Sequence, residues 1–342
     1  MKVGILSGGG DAPGINAVIR AVVRKGIEHY GYEIVGIRDG WRGLLEGKFL
    51  SLDLKAASGV LPRGGSILGT SRINPFKHQR GAKKMLRNAR KAGIEAFVVI
   101  GGEDTLGVTH KMSELGLECV GVPKTIDNDL AGTDYTFGFH TAVAIATEAL
   151  DRLHTTAEAH HRVIILEVMG RYTGWIALEA GLAGGADAIL IPEKPFDIDE
   201  VCEYIRRRKE RGRNFSIIVV AEGAKPKGGE EIVYSKGVDE FGHVRFGGVG
   251  YYIGKEIERR MDIETRVVVL GHLQRGGSPT AFDRILATRF GIAAIDLVHQ
   301  GEFGRMVALQ GNKIVSVPLK DVVGKRKTVD LELYDIASVF FG

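Results

Sequence analysis

Short, almost wholly apolar runs rich in β-branched residues recur along the chain: Val3–Leu6, Ile34–Ile37, Phe97–Ile100, Val163–Val168, Ile217–Val220 and Val267–Leu270. Runs this short, without polar alternation, predict strands buried on both faces, as in parallel sheets. Between them the period changes. Ile15, Val18, Ile19 and Val22 stand at i, i+3, i+4 and i+7, one face of an amphipathic helix that follows the first strand. Similar helices are predicted over 141–158, 197–210 and 281–299. The alternation gives an α/β fold with open, mainly parallel sheets and flanking helices. A chain of 342 residues is near the practical limit of a single core, so two Rossmann-like domains are expected. The break is read at Gly138-Phe139-His140. One domain then comprises 1–138 plus about 251–304, the other 139–250 plus about 305–325, with a C-terminal tail over about 326–342.

Composition adds exclusions. The chain is 44% hydrophobic and 26% charged, ordinary for a globular protein. Its net charge of +4 is spread rather than gathered in a tail. The densest basic run, Arg206–Lys209 with Arg211 and Arg213, lies on a helical stretch whose Val201, Tyr204 and Ile205 face inward, so it reads as a solvated face. No aromatic residues interleave with it, which argues against nucleic acid. The later charges Lys320, Lys325, Arg326 and Lys327 read the same way. Two distant cysteines, Cys119 and Cys202, have neither disulfide-framework nor zinc spacing and fit a reducing compartment. The first residues run straight into glycines, so no signal-peptide core forms, and no apolar run approaches the ~18 residues of a membrane span. A cytoplasmic protein is expected.

In open α/β sheets ligands sit at the carboxyl ends of strands. After the first strand comes Ser7-Gly8-Gly9-Gly10-Asp11-Ala12-Pro13-Gly14, leading into the amphipathic helix. Glycines let backbone N–H groups approach an anion, and the helix N-terminus favours negative charge; a tight strand–helix turn is the plainer reading. The segment is neither a dinucleotide fingerprint nor a Walker A motif. After Phe97–Ile100 comes Gly101-Gly102-Glu103-Asp104-Thr105, two glycines and two carboxylates that suit a divalent cation beside a phosphate or, more plainly, a helix cap. After Val120-Gly121-Val122 comes Pro123-Lys124-Thr125-Ile126-Asp127-Asn128-Asp129, which sets a cation and two carboxylates in one loop.

Together these three loops resemble the phosphofructokinase family. Further matches are Gly69-Thr70-Ser71-Arg72, Met169-Gly170-Arg171, Glu222-Gly223 and Gly271-His272-Leu273-Gln274-Arg275-Gly276-Gly277, so the resemblance runs from residue 3 to roughly 305. It implies that Asp127 removes the proton from the 1-hydroxyl of fructose 6-phosphate, whose oxygen then attacks a terminal phosphoryl group. It implies donor contacts from Gly9, Gly10 and Arg72, and a magnesium-associated acid at Glu103, with Asp129 as a further magnesium partner. Sugar recognition falls on Thr125, Ile126, Met169, Gly170, Arg171, Glu222, His272, Leu273, Gln274 and Arg275. Arg162 and Arg266 match arginines that hold the 6-phosphate from a neighbouring subunit, which implies a homodimer or homotetramer. The first domain would then bind the donor and the second the sugar phosphate.

The resemblance also bears on the donor. ATP-using members have glycine where this chain has Asp104, whereas members using inorganic pyrophosphate carry Asp there together with Lys124. The expected activity is therefore reversible, magnesium-dependent transfer from pyrophosphate, with Asp104 and Lys124 joining Asp127 in the catalytic set. The alternatives are an ATP-dependent 6-phosphofructokinase, a lipid or dinucleotide kinase and, remotely, a non-catalytic sugar-phosphate sensor. Arg20, Arg24, Arg211 and Arg213 match the nucleotide-regulated members only in part, so weak or absent nucleotide control is expected.

Overall fold

The computed structural model describes residues 1–229, 232–238 and 240–342. The chain runs through β1 (Lys2–Ser7), α1 (Ile15–Glu28), β2 (Glu33–Ile37), α2 (Trp41–Glu46), β3 (Phe49–Leu52), α3 (Gly81–Lys91), β4 (Ala96–Gly101), α4 (Glu103–Glu114), β5 (Cys119–Thr125) and β6 (Phe137–Gly138). There follow α5 (Phe139–His160), β7 (Val163–Val168), α6 (Trp175–Ala183), β8 (Ala188–Leu190), α7 (Ile198–Glu210), β9 (Ser216–Ala221), the hairpin of β10 (Val233–Val238) and β11 (Val244–Phe246), α8 (Val249–Met261) and β12 (Thr265–Val269). Then come α9 (Ala281–Gln300), β13 (Arg305–Gln310), β14 (Lys313–Pro318), α10 (Leu319–Val322) and α11 (Leu331–Ser338).

The expected α/β alternation is present, with β12 starting two residues before the predicted run. Not anticipated were β3, β6, β8, the hairpin β10–β11 and the pair β13–β14. β3 and β14 are antiparallel, partly exposed end strands whose mixed polarity resembles loop sequence.

Two compact units form: Met1–Thr125 with Leu130–His140 and Arg275–Arg326, and Ile126–Asp129 with Thr141–Gln274 and Lys327–Gly342. This corrects the expected division at its C-terminal end. Residues 251–274 stay with the second unit because β12 pairs in parallel with β7. Residues 305–326 belong to the first because β13 pairs with β5. The last residues are no separate tail: α11 lies on the second unit, where the Tyr334 hydroxyl donates to the Ile189 carbonyl at 3.1 Å.

The first unit carries an eight-stranded sheet, ordered β14-β13-β5-β4-β1-β2-β3 with β6 beside β5. From β1 the chain builds β2 and β3 on one side and β4 and β5 on the other. The order therefore reverses between β1 and β4, and a crevice opens at their carboxyl ends, where ligands bind in this architecture. α1 and α9 cover one face with Ile15, Val18, Ile19, Val22, Phe290, Ala294 and Ile295 fully buried. Each of the Ile, Val and Phe side chains contributes about 1.5–3 kcal/mol. The two helices meet backbone to side chain at Gly291, where a Cβ would stand 2.8 Å from the Val18 carbonyl oxygen.

The second unit carries an all-parallel four-stranded sheet ordered β12-β7-β9-β8. α7 and α8 pack on one face through Val201, Cys202, Ile205, Ile253 and Ile257. The basic run on α7 is only partly solvated, because Arg208 pairs at 2.7 Å with buried Asp187. Glu167, also buried, caps α8 by accepting the N–H groups of Gly248 at 3.1 Å and Gly250 at 2.8 Å.

On α6, burial raises the Glu179 carboxyl from its ordinary 4.5 to about 7, with Lys327 acting in the opposite direction. Below its unfolded value the group is protonated in both states and costs nothing. As the pH rises towards 7 the unfolded chain ionises first, so stability falls through that window. Glu179→Gln should therefore stabilise the protein at pH 8, by on the order of 1–3 kcal/mol, and hardly at pH 4.5. Calorimetric melting at both pH values checks this; an equal shift at each would disprove it.

Candidate active site

At the switch point of the first unit, the β1–α1 loop is lined by cations. The Lys124 ammonium donates to the Gly10 carbonyl at 2.5 Å, and Arg275 donates to the Asp11 carbonyl at 3.0 Å. A Cβ on Gly10 would stand 2.8 Å from Arg275 Nη1 and 3.2 Å from Arg72 Nη2. Gly9, at φ 84°, is in the left-handed region, and a Cβ there would meet Lys124 Nζ at 3.3 Å. Three positive groups thus converge on Gly9–Asp11, the arrangement that a phosphate-bearing ligand needs.

The β4–α4 turn sits beside this loop through Thr105, which the sequence offers only as a possible helix cap. Its buried side chain fills the space a Cβ would need at Gly8 (2.8 Å) and Gly101 (2.3 Å). Gly8 and Gly101 are thus close-packing requirements. Glu103 and Asp104 occupy the first turn of α4, where the helix dipole favours carboxylates. Thr125 ends β5, its carbonyl accepting the Thr136 hydroxyl at 2.7 Å.

In the second unit the expected residues gather at the carboxyl ends of neighbouring strands. Met169, Gly170 and Arg171 follow β7, Glu222 follows β9, and His272–Gln274 follow β12. Arg171 is held at φ 53° by two contacts: its N–H donates to Glu222 Oε1 at 3.0 Å, and its carbonyl leaves no room for a Cβ on Gly223. Gly170, at φ 143°, closes the turn against the Thr173 carbonyl. Ile126 and Asp127 are buried, and the Thr173 hydroxyl donates to the Asp127 carbonyl at 3.2 Å. Thr173 gave no signal in the sequence.

The residues assigned to sugar recognition therefore differ in their surroundings. Gln274 is fully buried, accepting from the Met169 N–H at 3.3 Å and donating to the Gly271 carbonyl at 3.0 Å. Its amide thus orders the turn. His272 and Leu273 are exposed. Arg275 belongs to the first unit and lies against the glycine loop, whereas the sequence reading grouped it with the sugar contacts. Arg162 and Arg266 share one surface carboxylate, Glu264, with Arg162 Nε at 2.5 Å from it. These charge-assisted bonds lower the Glu264 pKa.

Residues 2–298 match the family described as "PFK: Phosphofructokinase". The chain belongs to that family. A pyrophosphate--fructose 6-phosphate 1-phosphotransferase of Streptomyces coelicolor is 58% identical over the full length of both chains. An ATP-dependent 6-phosphofructokinase 3 of the same organism is 54% identical over 96% of each. Among solved structures, phosphofructokinase from Saccharomyces cerevisiae superposes with a TM-score of 0.83 at 33% identity; the match covers 94% of this chain and 45% of that one.

A divalent cation fits the oxygen-only donor set at the start of α4. Among the described residues no group of three or more His, Cys, Asp or Glu side chains is arranged to hold a metal alone. Magnesium rarely uses such cages; one or two carboxylates with substrate phosphates are usual. Glu103 is the residue here that would hold it, and the bound ion would neutralise charge on the phosphoryl oxygens.

Gly10→Ala is expected to leave the fold intact, since the added methyl meets the mobile ends of arginine side chains. It displaces those guanidinium groups, so the KM for the phosphoryl donor should rise at least tenfold while that for the sugar phosphate stays within about twofold. Steady-state kinetics on both substrates measures the split; an unchanged donor KM would show that the loop does not contact the donor.

Proposed function

We propose that this phosphofructokinase transfers a phosphoryl group from inorganic pyrophosphate to the 1-hydroxyl of fructose 6-phosphate, giving fructose 1,6-bisphosphate and phosphate. The observation that carries the choice of donor is Asp104, beside Glu103 in the first turn of α4 at the sheet's switch point. A nucleotide donor would bring its α-phosphate where glycine leaves room in ATP-using members. Two like charges ~4 Å apart at an effective dielectric of ~20 repel by ~4 kcal/mol, about a thousandfold in binding. Pyrophosphate has no third phosphate and avoids the conflict. The name carried by the 58% identical relative supports the same reading.

In this reading Asp127 accepts the proton of the 1-hydroxyl, and the oxygen forms a bond to the near phosphorus as the bridging P–O bond breaks. The departing phosphate takes the bridging electrons, and Lys124, Arg72 and Arg275 offset its growing charge. Arg171 and Glu222 orient the sugar. Arg162 and Arg266 hold the 6-phosphate of a neighbouring copy's substrate, exchanging Glu264 for phosphate, so the active form is a homodimer or homotetramer. Glu103 is the magnesium-associated acid, Asp129 a further magnesium partner, and the enzyme is cytoplasmic.

The second reading, ATP as donor, is favoured by relatives named ATP-dependent at 51–54% identity. Initial rates with fructose 6-phosphate, magnesium and either donor separate the two. Turnover should be at least a hundredfold faster with pyrophosphate; strong ATP turnover with none from pyrophosphate would reverse the conclusion. Asp104→Gly should raise kcat/KM for ATP by tenfold or more and lower that for pyrophosphate. If ATP use does not improve, the discrimination lies at another residue.

A further inference from the structure

The charged stretch near the C-terminus contains one residue that is not simply solvated. The Lys327 N–H donates to the Asp129 carbonyl at 2.8 Å, and its ammonium donates to Asn128 Oδ1 at 3.0 Å. With the Thr173 hydroxyl on the Asp127 carbonyl, each of the three residues 127–129 has a tie, and Lys327 supplies two of them. The tie also fixes Asn128 in the left-handed region, at a φ of 53°, which a single Asn adopts readily when its short side chain is hydrogen-bonded.

Lys327 is itself fixed. Its carbonyl accepts Trp175 Nε1 at 3.2 Å, and its ammonium lies 5.3 Å from the centre of that indole ring. Two residues on, the Val329 N–H donates to Glu193 Oε1 at 3.1 Å. The same carboxylate accepts the Gly174 N–H at 3.0 and 3.1 Å, at the start of α6. The strap 327–329 thus joins the Asp127 loop to α6, and all these parts belong to the second unit.

We propose that Lys327 is a positioning residue for Asp127, and that the strap holds the 127–129 loop in the conformation that aims the base. This rests on the reading of Asp127 as the base. Lys327 acts through its bonds to Asn128 and Asp129. The contacts assigned to sugar and donor lie on other residues, so its loss falls on turnover. Displacing a catalytic group by ~1 Å costs up to ~100-fold in rate, whereas uniform binding is untouched.

The test compares Lys327→Met, Lys327→Arg, Asn128→Gly and Asp127→Asn in the full-length protein, with circular dichroism to verify folding. Lys327→Met should lower kcat about 10–100-fold with both KM values within about threefold. Lys327→Arg, which keeps a charged donor, should recover at least a third of the wild-type kcat. Asn128→Gly removes the side-chain tie while tolerating the positive φ; it should lower kcat without raising either KM, and it carries the test if Lys327→Met does not fold. Unchanged kcat in Lys327→Met or Asn128→Gly, or a loss confined to KM, overturns the proposal. Asp127→Asn separates the two readings: if it retains wild-type kcat, the base assignment itself fails. If it alone abolishes turnover while the Lys327 variants remain active, only the strap proposal fails.

Discussion

A lysine ammonium that is only 2% exposed has lost almost all of its water, and such a group is tolerated only where fixed polar atoms or an anion replace that hydration. Lys124 has the Gly10 carbonyl at 2.5 Å, and the neighbouring Asp11 carbonyl takes Arg275. Those carbonyl dipoles are part of what replaces the lost hydration, and they draw both cations onto the Gly9–Asp11 loop. Much of the first unit's local design follows from that requirement. Gly9 and Gly10 bring backbone close to the cations, and Thr105 fills the space that Gly8 and Gly101 leave between the two turns. The reversal of strand order between β1 and β4 supplies the crevice in which such a loop can stand.

The parts legible in the sequence are those in which one local pattern has one physical meaning. Parallel strands buried on both faces have to be continuously apolar, so β1, β4, β7 and β9 were visible as uninterrupted runs. Candidate chemistry could be sought just after those runs because ligands in α/β architecture sit at the carboxyl ends of strands. What was not legible depends on long-range partners. β14, mostly half-exposed, looks like loop until β13 is known to pair with β5. Arg275 stands one residue after Gln274, yet one lines the glycine loop of the first unit and the other orders a turn of the second. No pattern within that short segment separates the two roles. Thr173 and Lys327 matter through bonds to residues 46 and 199 positions away, and a hydroxyl or a charge near a terminus has no local signature of such a role.

Overall identity is a poor guide to the phosphoryl donor in this family. Full-length relatives with pyrophosphate in their names stand at 58%, and one named for ATP at 54%. A difference of that size can arise anywhere on two α/β units, whereas donor choice turns on the space and charge beside a single phosphate. A carboxylate is decisive there because a like charge in a partly desolvated loop costs several kcal/mol, while a surface substitution usually costs less than ~0.5 kcal/mol. The same reasoning limits what Asp104 alone can do. In the proposed function it excludes the α-phosphate of a nucleotide, but transfer from pyrophosphate also needs cations where charge develops and a base held in place. Lys124 is the last residue but one of β5, and Asp127 follows three residues later on the loop tied to Thr173 and Lys327. In the proposed function donor selection, charge stabilisation and aim of the base therefore fall to separate residues, so a change in the first need not preserve the rate set by the other two.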